Sequence, residues 1–183
     1  FQHSEDRILK LMNRKGSRAE YLQLIKKLRE NIPDIAIRST FIAGFPSETQ
    51  QECDALCGFL REAKLDNCGF FAYSREPDTP AYKLKGQIPY ATKRARVKKL
   101  YSVQREISAE KLNSYVGKRL RDICDGINYG KNRFEGRAYF SAPDIDGKVY
   151  FNSPKAVQGE YNEVIISGND GYDLYGKTED YEL

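Results

Sequence analysis

The apolar residues of this chain follow two different periods, and the change falls at Gly117. Before it, helical spacing alternates with short β-branched runs. After it, short apolar runs alternate with turn residues. The first pattern calls for crossover connections between parallel strands and the second for closely spaced strands joined by turns, so one repeating architecture cannot serve both. The expected division is residues 1–116 and 117–183.

In the first part, Ser4 is placed to cap a short helix with Ile8, Leu9, Leu11 and Met12 inward and Gly16 as its stop. Ser17 and Glu20 have capping-box spacing. Tyr21, Leu24, Ile25 and Leu28 then give an amphipathic helix that ends before Pro33. Residues 35–43 read as a strand, broken by Gly44-Phe45-Pro46. Ser47 to Gln50 has the spacing of a second capping box, and its helix carries Cys53, Leu56, Cys57 and Leu60 on one stripe. Cys68 to Tyr73 is a second strand, which makes residues 17–73 an α-β-α-β unit. Pro89 opens a long helix to about Tyr115 with Val97, Leu100, Val103 and Ile107 inward. That helix is also dense in Lys and Arg, including Lys93, Arg96 and Lys99.

From Gly117 on, five short strands are expected at 119–124, 134–140, 147–151, 160–166 and 172–175. Asp146-Gly147 and Asn169-Asp170-Gly171 supply turn chemistry. This pattern fits a small antiparallel barrel of OB-like size.

Charge divides at the same place. Residues 1–116 hold 21 Lys/Arg and 14 Asp/Glu, whereas residues 117–183 hold 9 and 12, a net of −3. The single histidine excludes a zinc site with several His ligands. Four cysteines are too few for a disulfide scaffold and point to a reducing, cytoplasmic setting. No apolar run approaches the ~20 residues of a membrane span. The chain opens on Phe1 without an initiator Met, and is expected to be a piece of something longer.

Few residue patterns point to chemistry. Cys53-x3-Cys57 has the first spacing of an iron–sulfur loop, but Leu60 stands where a third thiolate belongs, and both Cys share an apolar stripe. Cys68 and Cys124 read as core. The strand end from Thr40 to Glu48 is a better candidate, because ligands of parallel α/β folds sit at the carboxyl ends of strands. There Gly44 allows close approach to backbone, Ile42 and Phe45 offer an apolar rest, and a helix capped at Ser47 offers N–H donors. Arg38, an unusual cation in an apolar strand, must snorkel, pair or face a ligand carboxylate, and Tyr73-Ser74-Arg75 ends the second strand at the same rim. His3 reads as a surface residue. The basic helix is either a solvated face or a nucleic-acid face. Ten of the 22 Tyr and Phe fall in 117–183, where they could stack bases, although net acidity repels phosphate.

Several stretches taken in order resemble the radical S-adenosylmethionine (SAM) methylthiotransferases. They are Gln2 to Arg14, Ser39 to Thr49, Phe71 to Glu76 with Thr79 to Tyr82, and Gln104 to Ser108. Residues 117–183 resemble the TRAM domain of that family. Gly136 to Tyr139, Ala142 to Gly147 and Asp173 to Gly176 are most similar to the branch that modifies an aspartate of ribosomal protein S12.

The resemblance implies an α/β C-terminal portion of a radical SAM, TIM-like partial barrel, followed by an all-β, OB-like, five-stranded antiparallel TRAM barrel. It implies SAM as cofactor, with two [4Fe–4S] clusters whose ligands lie outside this chain. The chain alone is therefore expected to be inactive, with no catalytic or metal-ligating residue of its own. Gln2 and Ser4 match a fourth strand, Arg38 and Thr40 the fifth facing the amino-acid or ribose part of SAM, and Ile42, Gly44 and Phe45 the region flanking adenine. Phe71, Tyr73 and Ser74 match the sixth-strand contact. The family's Gly-x-Ile-x-Gly-x-x-Glu pattern is met in part, with Thr40 at the first Gly and Glu48 one place late. The implied activity is methylthiolation of the β-carbon of an S12 aspartate. An acidic TRAM domain suits a basic protein such as S12 better than it suits tRNA. The alternatives are a tRNA adenosine methylthiotransferase and a non-catalytic RNA- or ribosome-binding module.

Overall fold

The computed structural model describes residues 1–181, which form two compact units, residues 1–104 and the chain from Arg105 on. The division falls within the longest helix.

In the first unit the chain runs α1 (Asp6–Leu11), α2 (Arg18–Asn31), β1 (Arg38–Ala43), α3 (Gln50–Ala63), β2 (Asn67–Ala72) and a 3-10 turn (Pro80–Lys83), and then enters α4 (Tyr90–Asn113). β1 and β2 pair in parallel, as the α-β-α-β pattern implies, with Phe41 opposite Phe70 and Ile42 opposite Phe71. A single rung extends the sheet on the other side of β1: Gln2 N–H donates to Thr40 O and Ile42 N–H donates to Gln2 O, both at 2.9 Å. One face of the sheet is the core. Phe41 stacks on Phe70 with centroids 5.9 Å apart and meets Phe59 of α3 edge-on at 6.1 Å. Cys53, Leu56, Cys57 and Leu60 are buried on α3, as their stripe predicts. Leu100 and Val103 are buried on α4, as is Ile107 in the part of that helix belonging to the second unit.

Helix starts differ from expectation at two places. Ser4 caps nothing. The N-cap of α1 is Glu5, and the Ser4 hydroxyl donates to the Glu5 carboxylate at 3.1 Å. At α3 the capping box is Thr49 with Glu52, two residues beyond Ser47. An N-cap needs extended backbone, which Thr49 has, whereas Ser47 is left-handed at φ 64°. Only Ile25 of the expected α2 stripe is buried, and Leu24 and Leu11 are exposed. Cys68 is half-buried rather than core.

The second unit holds β3 (Arg119–Asn128), β4 (Arg133–Ala138), β5 (Val149–Asn152), β6 (Tyr161–Asn169) and β7 (Leu174–Thr178), closed in the order β3-β4-β5-β7-β6. One expectation is corrected here: β5 and β7 are parallel, and the other four pairings antiparallel. An odd number of strands in a closed ring cannot alternate direction throughout, so at least one parallel pair is unavoidable. The core is Leu120, Cys124, Ala138, Val149, Phe151, Val164, Ile166 and Leu174, joined by Leu112.

Asp122 is fully buried in this barrel, and neither of its carboxylate oxygens has a hydrogen-bond partner among the described residues. Burial above all, and then the Asp125 carboxylate, push its pKa up to about 8 against the pull of Arg137. Gly136 lies flush against it; a Cβ there would collide with the Asp122 carboxylate and with Ile123 O. The folded chain thus holds a proton that the unfolded chain releases near pH ~4. The stability this group contributes is full below that pH and is lost as pH rises to about 8. Chemical unfolding across this range should show stability falling with pH, and Asp122→Asn should remove that part of the fall. An unaltered slope in the variant would contradict the account.

Candidate functional site

The face of the sheet opposite the core is where the expected ligand residues collect. Period-two alternation puts Arg38, Thr40 and Ile42 on that side of β1, while Ser39, Phe41 and Ala43 are buried on the other. Phe71, in register with Ile42, stands on the same side and is 62 % exposed. Between them Gly69, opposite Thr40, leaves a bare strip: a Cβ there would lie 3.6 Å from the Phe71 ring and 3.7 Å from Thr40 Oγ1. Gln2 borders β1 through its two backbone hydrogen bonds. This face combines a guanidinium, a hydroxyl, an aliphatic side chain and an open aromatic ring.

At the carboxyl ends of the strands the chain folds back on itself. Tyr73 N–H donates to Ala43 O at 2.9 Å, and Phe45 meets the Tyr73 ring edge-on at 5.1 Å. The Ser74 hydroxyl is exposed and donates to Glu76 at 2.5 Å. Ser4 is fully buried. Gly44 is at φ 75°, and the space where its Cβ would stand is filled by the stem of Lys93, not left for a ligand. The Lys93 ammonium donates to Tyr73 O at 2.9 Å and lies 4.8 Å from the centre of the Tyr73 ring; burial pushes its pKa down.

Beneath this turn lies a buried carboxylate. Glu48 Oε2 accepts the N–H of Gly44 at 2.8 Å and of Phe45 at 3.3 Å. Its Oε1 accepts from the Arg96 guanidinium at 2.7 Å, and Arg96 also donates to Glu48 O at 3.0 Å. His3 is fully buried, which corrects its reading as a surface residue. Its Nδ1 accepts the Glu5 N–H at 3.0 Å, and its Nε2 faces Glu48 Oε2 at 3.5 Å. The N–H groups expected at a Ser47 cap are also engaged. Ser47 N–H goes to Gly86 O at 2.7 Å, and Thr49 N–H goes to Glu52 at 2.8 Å. Glu52 in turn takes a two-pronged bond from Arg7 at 2.6 and 2.7 Å, which chiefly holds its pKa down at about 2.

The basic face of α4 is therefore not one surface. Lys93 and Arg96 are buried at this turn, and Lys99 pairs with Asp54 at 2.7 Å. The signal was in the spacing. Positions 93 and 96 continue the inward stripe 100, 103, 107 toward the helix start. Gly69 could have been found from its strand position between Cys68 and Phe70.

Filling the space above Gly44 should be costly for two separable reasons. Gly44→Ala should destabilise the protein by about 2 kcal/mol or more, part from the left-handed backbone and part from collision with Lys93. In a Lys93→Ala background the collision vanishes and about 1 kcal/mol of backbone strain should remain. Equal costs in both backgrounds, measured by urea unfolding, would contradict the packing described.

Residues 116–178 match a family model described as the TRAM domain. Over 97 % of its length the chain is 43 % identical to the "Ribosomal protein uS12 methylthiotransferase RimO" of Pelotomaculum thermopropionicum, covering 40 % of that protein. The protein of the same name from Clostridium botulinum is 46 % identical over 98 % of this chain, again with 40 % of the relative covered. That of Thermodesulfovibrio yellowstonii is 42 % identical over 96 %, with 41 % covered. The chain thus spans about two fifths of the length of the curated relatives it matches. By sequence this chain is related to the uS12 methylthiotransferases along nearly its whole length, and its closed five-stranded barrel carries the TRAM match.

Proposed function

We propose that this chain is part of a radical SAM methylthiotransferase that methylthiolates the β-carbon of an aspartate in ribosomal protein uS12. The observation that carries this reading is identity of 43 and 46 % over 97 and 98 % of the chain to proteins bearing that name. In this reading residues 1–116 are the C-terminal part of the radical SAM barrel with its closing helices, and residues 117–183 are the TRAM domain. The protein acts in the cytoplasm. No helix among the described residues is long and apolar enough to cross a membrane.

The open sheet face suits SAM chemically. Arg38 offers a cation to the amino-acid carboxylate, Thr40 offers a hydroxyl to polar groups, and Gln2 borders them at the edge of β1. Ile42, the bare strip at Gly69 and the exposed Phe71 ring offer a flat apolar seat for adenine. Phe45, Tyr73 and Ser74 form the rim. Ser4 is buried and bonded to Glu5, and the N–H of Gly44 acts one layer below by holding the turn. When bound, SAM supplies the radical chemistry, while this chain's residues bind and orient it.

The chain's cysteines do not fit an iron–sulfur cluster. Cys53 and Cys57 are buried one helical turn apart and hydrogen-bond to each other, and no trio of His, Cys, Asp or Glu among the described residues is arranged to hold a metal. We therefore derive no step through a cluster. The uS12 substrate is a basic protein and fits the acidic balance of residues 117–183.

The test uses the longer protein that contains this chain, reconstituted anaerobically with iron and sulfide. It should add one methylthio group to uS12, read by mass spectrometry. Arg38→Ala and Phe71→Ala should each weaken SAM binding about tenfold with the fold intact. Reconstituted protein that modifies tRNA and leaves uS12 untouched would overturn the substrate, and unchanged SAM affinity in both variants would overturn the site.

A further inference from the structure

Tyr150 of β5 and Tyr175 of β7 are register partners across the parallel pair, and their rings stack with centroids 5.8 Å apart. Over them lies the ammonium of Lys131, from the turn between β3 and β4. It is 3.5 Å from the Tyr150 ring centre and 5.1 Å from that of Tyr175. It donates to Tyr175 Oη at 3.1 Å and to Asp173 Oδ2 at 3.4 Å. The receptor is fixed in advance. Tyr175 Oη donates to Asp170 Oδ2 at 2.8 Å, Asp170 Oδ1 accepts the N–H groups of Tyr172 and Asp173, and Asp173 Oδ1 accepts Lys148 N–H at 2.8 Å. Two tyrosine rings, the Tyr175 hydroxyl and the Asp173 carboxylate thus surround one primary ammonium, which is the chemistry of a cation cage.

The occupant is held differently. Lys131 belongs to a hairpin tip, where Asn132 is left-handed at φ 50° and the neighbouring Tyr129 is 86 % exposed. Its side chain remains 38 % exposed. Tyr150, by contrast, is only 7 % exposed.

We propose that this cage recognises a lysine side chain of a basic protein partner, and that Lys131 is its resident competitor, which the partner's lysine displaces. The chain's own lysine shows which group the cage accepts, and the net charge of −3 over residues 117–183 favours a basic partner over a nucleic acid. The proposal deepens the reading that uS12 is the substrate and rests on it for the partner's identity; the cage itself does not need that reading.

The test is the affinity of the full chain for uS12 and for an oligolysine peptide at fixed low salt. Lys131→Met empties the cage without touching its walls. It should tighten both affinities about fivefold, because the competing closed state is removed. An acetylated oligolysine should show no such gain. Asp173→Asn in the Lys131→Met background should reverse it, with circular dichroism confirming the fold. Unchanged or weaker lysine binding in Lys131→Met would overturn the proposal, as would a gain that the acetylated peptide shares. A single-stranded RNA that binds the parent chain and is lost in Lys131→Met would also overturn it, in favour of nucleic acid. A gain for oligolysine with no methylthiolation of uS12 by the longer protein would keep the cage and reject the substrate.

Discussion

The first unit is organised by a single buried carboxylate. Glu48 receives two backbone N–H groups from the turn that ends β1, the Arg96 guanidinium from α4, and the edge of His3. Three separate parts of the chain therefore meet on one group. A buried charge is tolerated only when its partners are supplied, and here they come from both backbone and side chain. The consequence is a fixed turn. With Gly44 and Phe45 held from below and the Lys93 stem laid over Gly44, the strand ends keep one shape under the open sheet face.

That arrangement separates holding from binding. Gly44, Glu48, Lys93 and Arg96 are buried and engaged with one another or with the backbone, and Ser4 is buried against Glu5. Arg38, Thr40, Ile42 and Phe71 lie on the face that the core leaves uncovered, at least in part open to solvent. The barrel repeats the division in another form. Its core cluster is apolar and Asp122 and Thr178 are buried in the same unit, while β5 and β7 carry Tyr150 and Tyr175 in register beneath Lys131.

Much of this was legible in the sequence, for physical reasons that also explain what was not. Parallel pairing of β1 and β2 follows from strands joined by a helix, and five strands follow from turn residues at short intervals. That one pair must be parallel follows from counting, once closure is known, but neither closure nor the choice of β5–β7 leaves a local signal. The helix start at Thr49 was displaced because Ser47, with an equally good side chain, has the wrong backbone. Lys93 and Arg96 were hidden by their charge, since a cation on an inward stripe is buried only if a partner such as Glu48 waits for it. His3 was hidden because its neighbours in sequence are polar and its burial comes entirely from distant residues. Asp122 shows the same limit, as strand alternation points it inward while its charge suggests the opposite.

The turn depends most on the coupling between Glu48 and Arg96, and a double-mutant cycle measures it directly. Glu48→Gln and Arg96→Met should each cost about 3 kcal/mol in urea unfolding, because each strands the other's buried charge or donors. The double variant should cost little more than either single change, a coupling of about 2 kcal/mol or more. Losses that simply add would contradict the claim that this buried pair holds the turn.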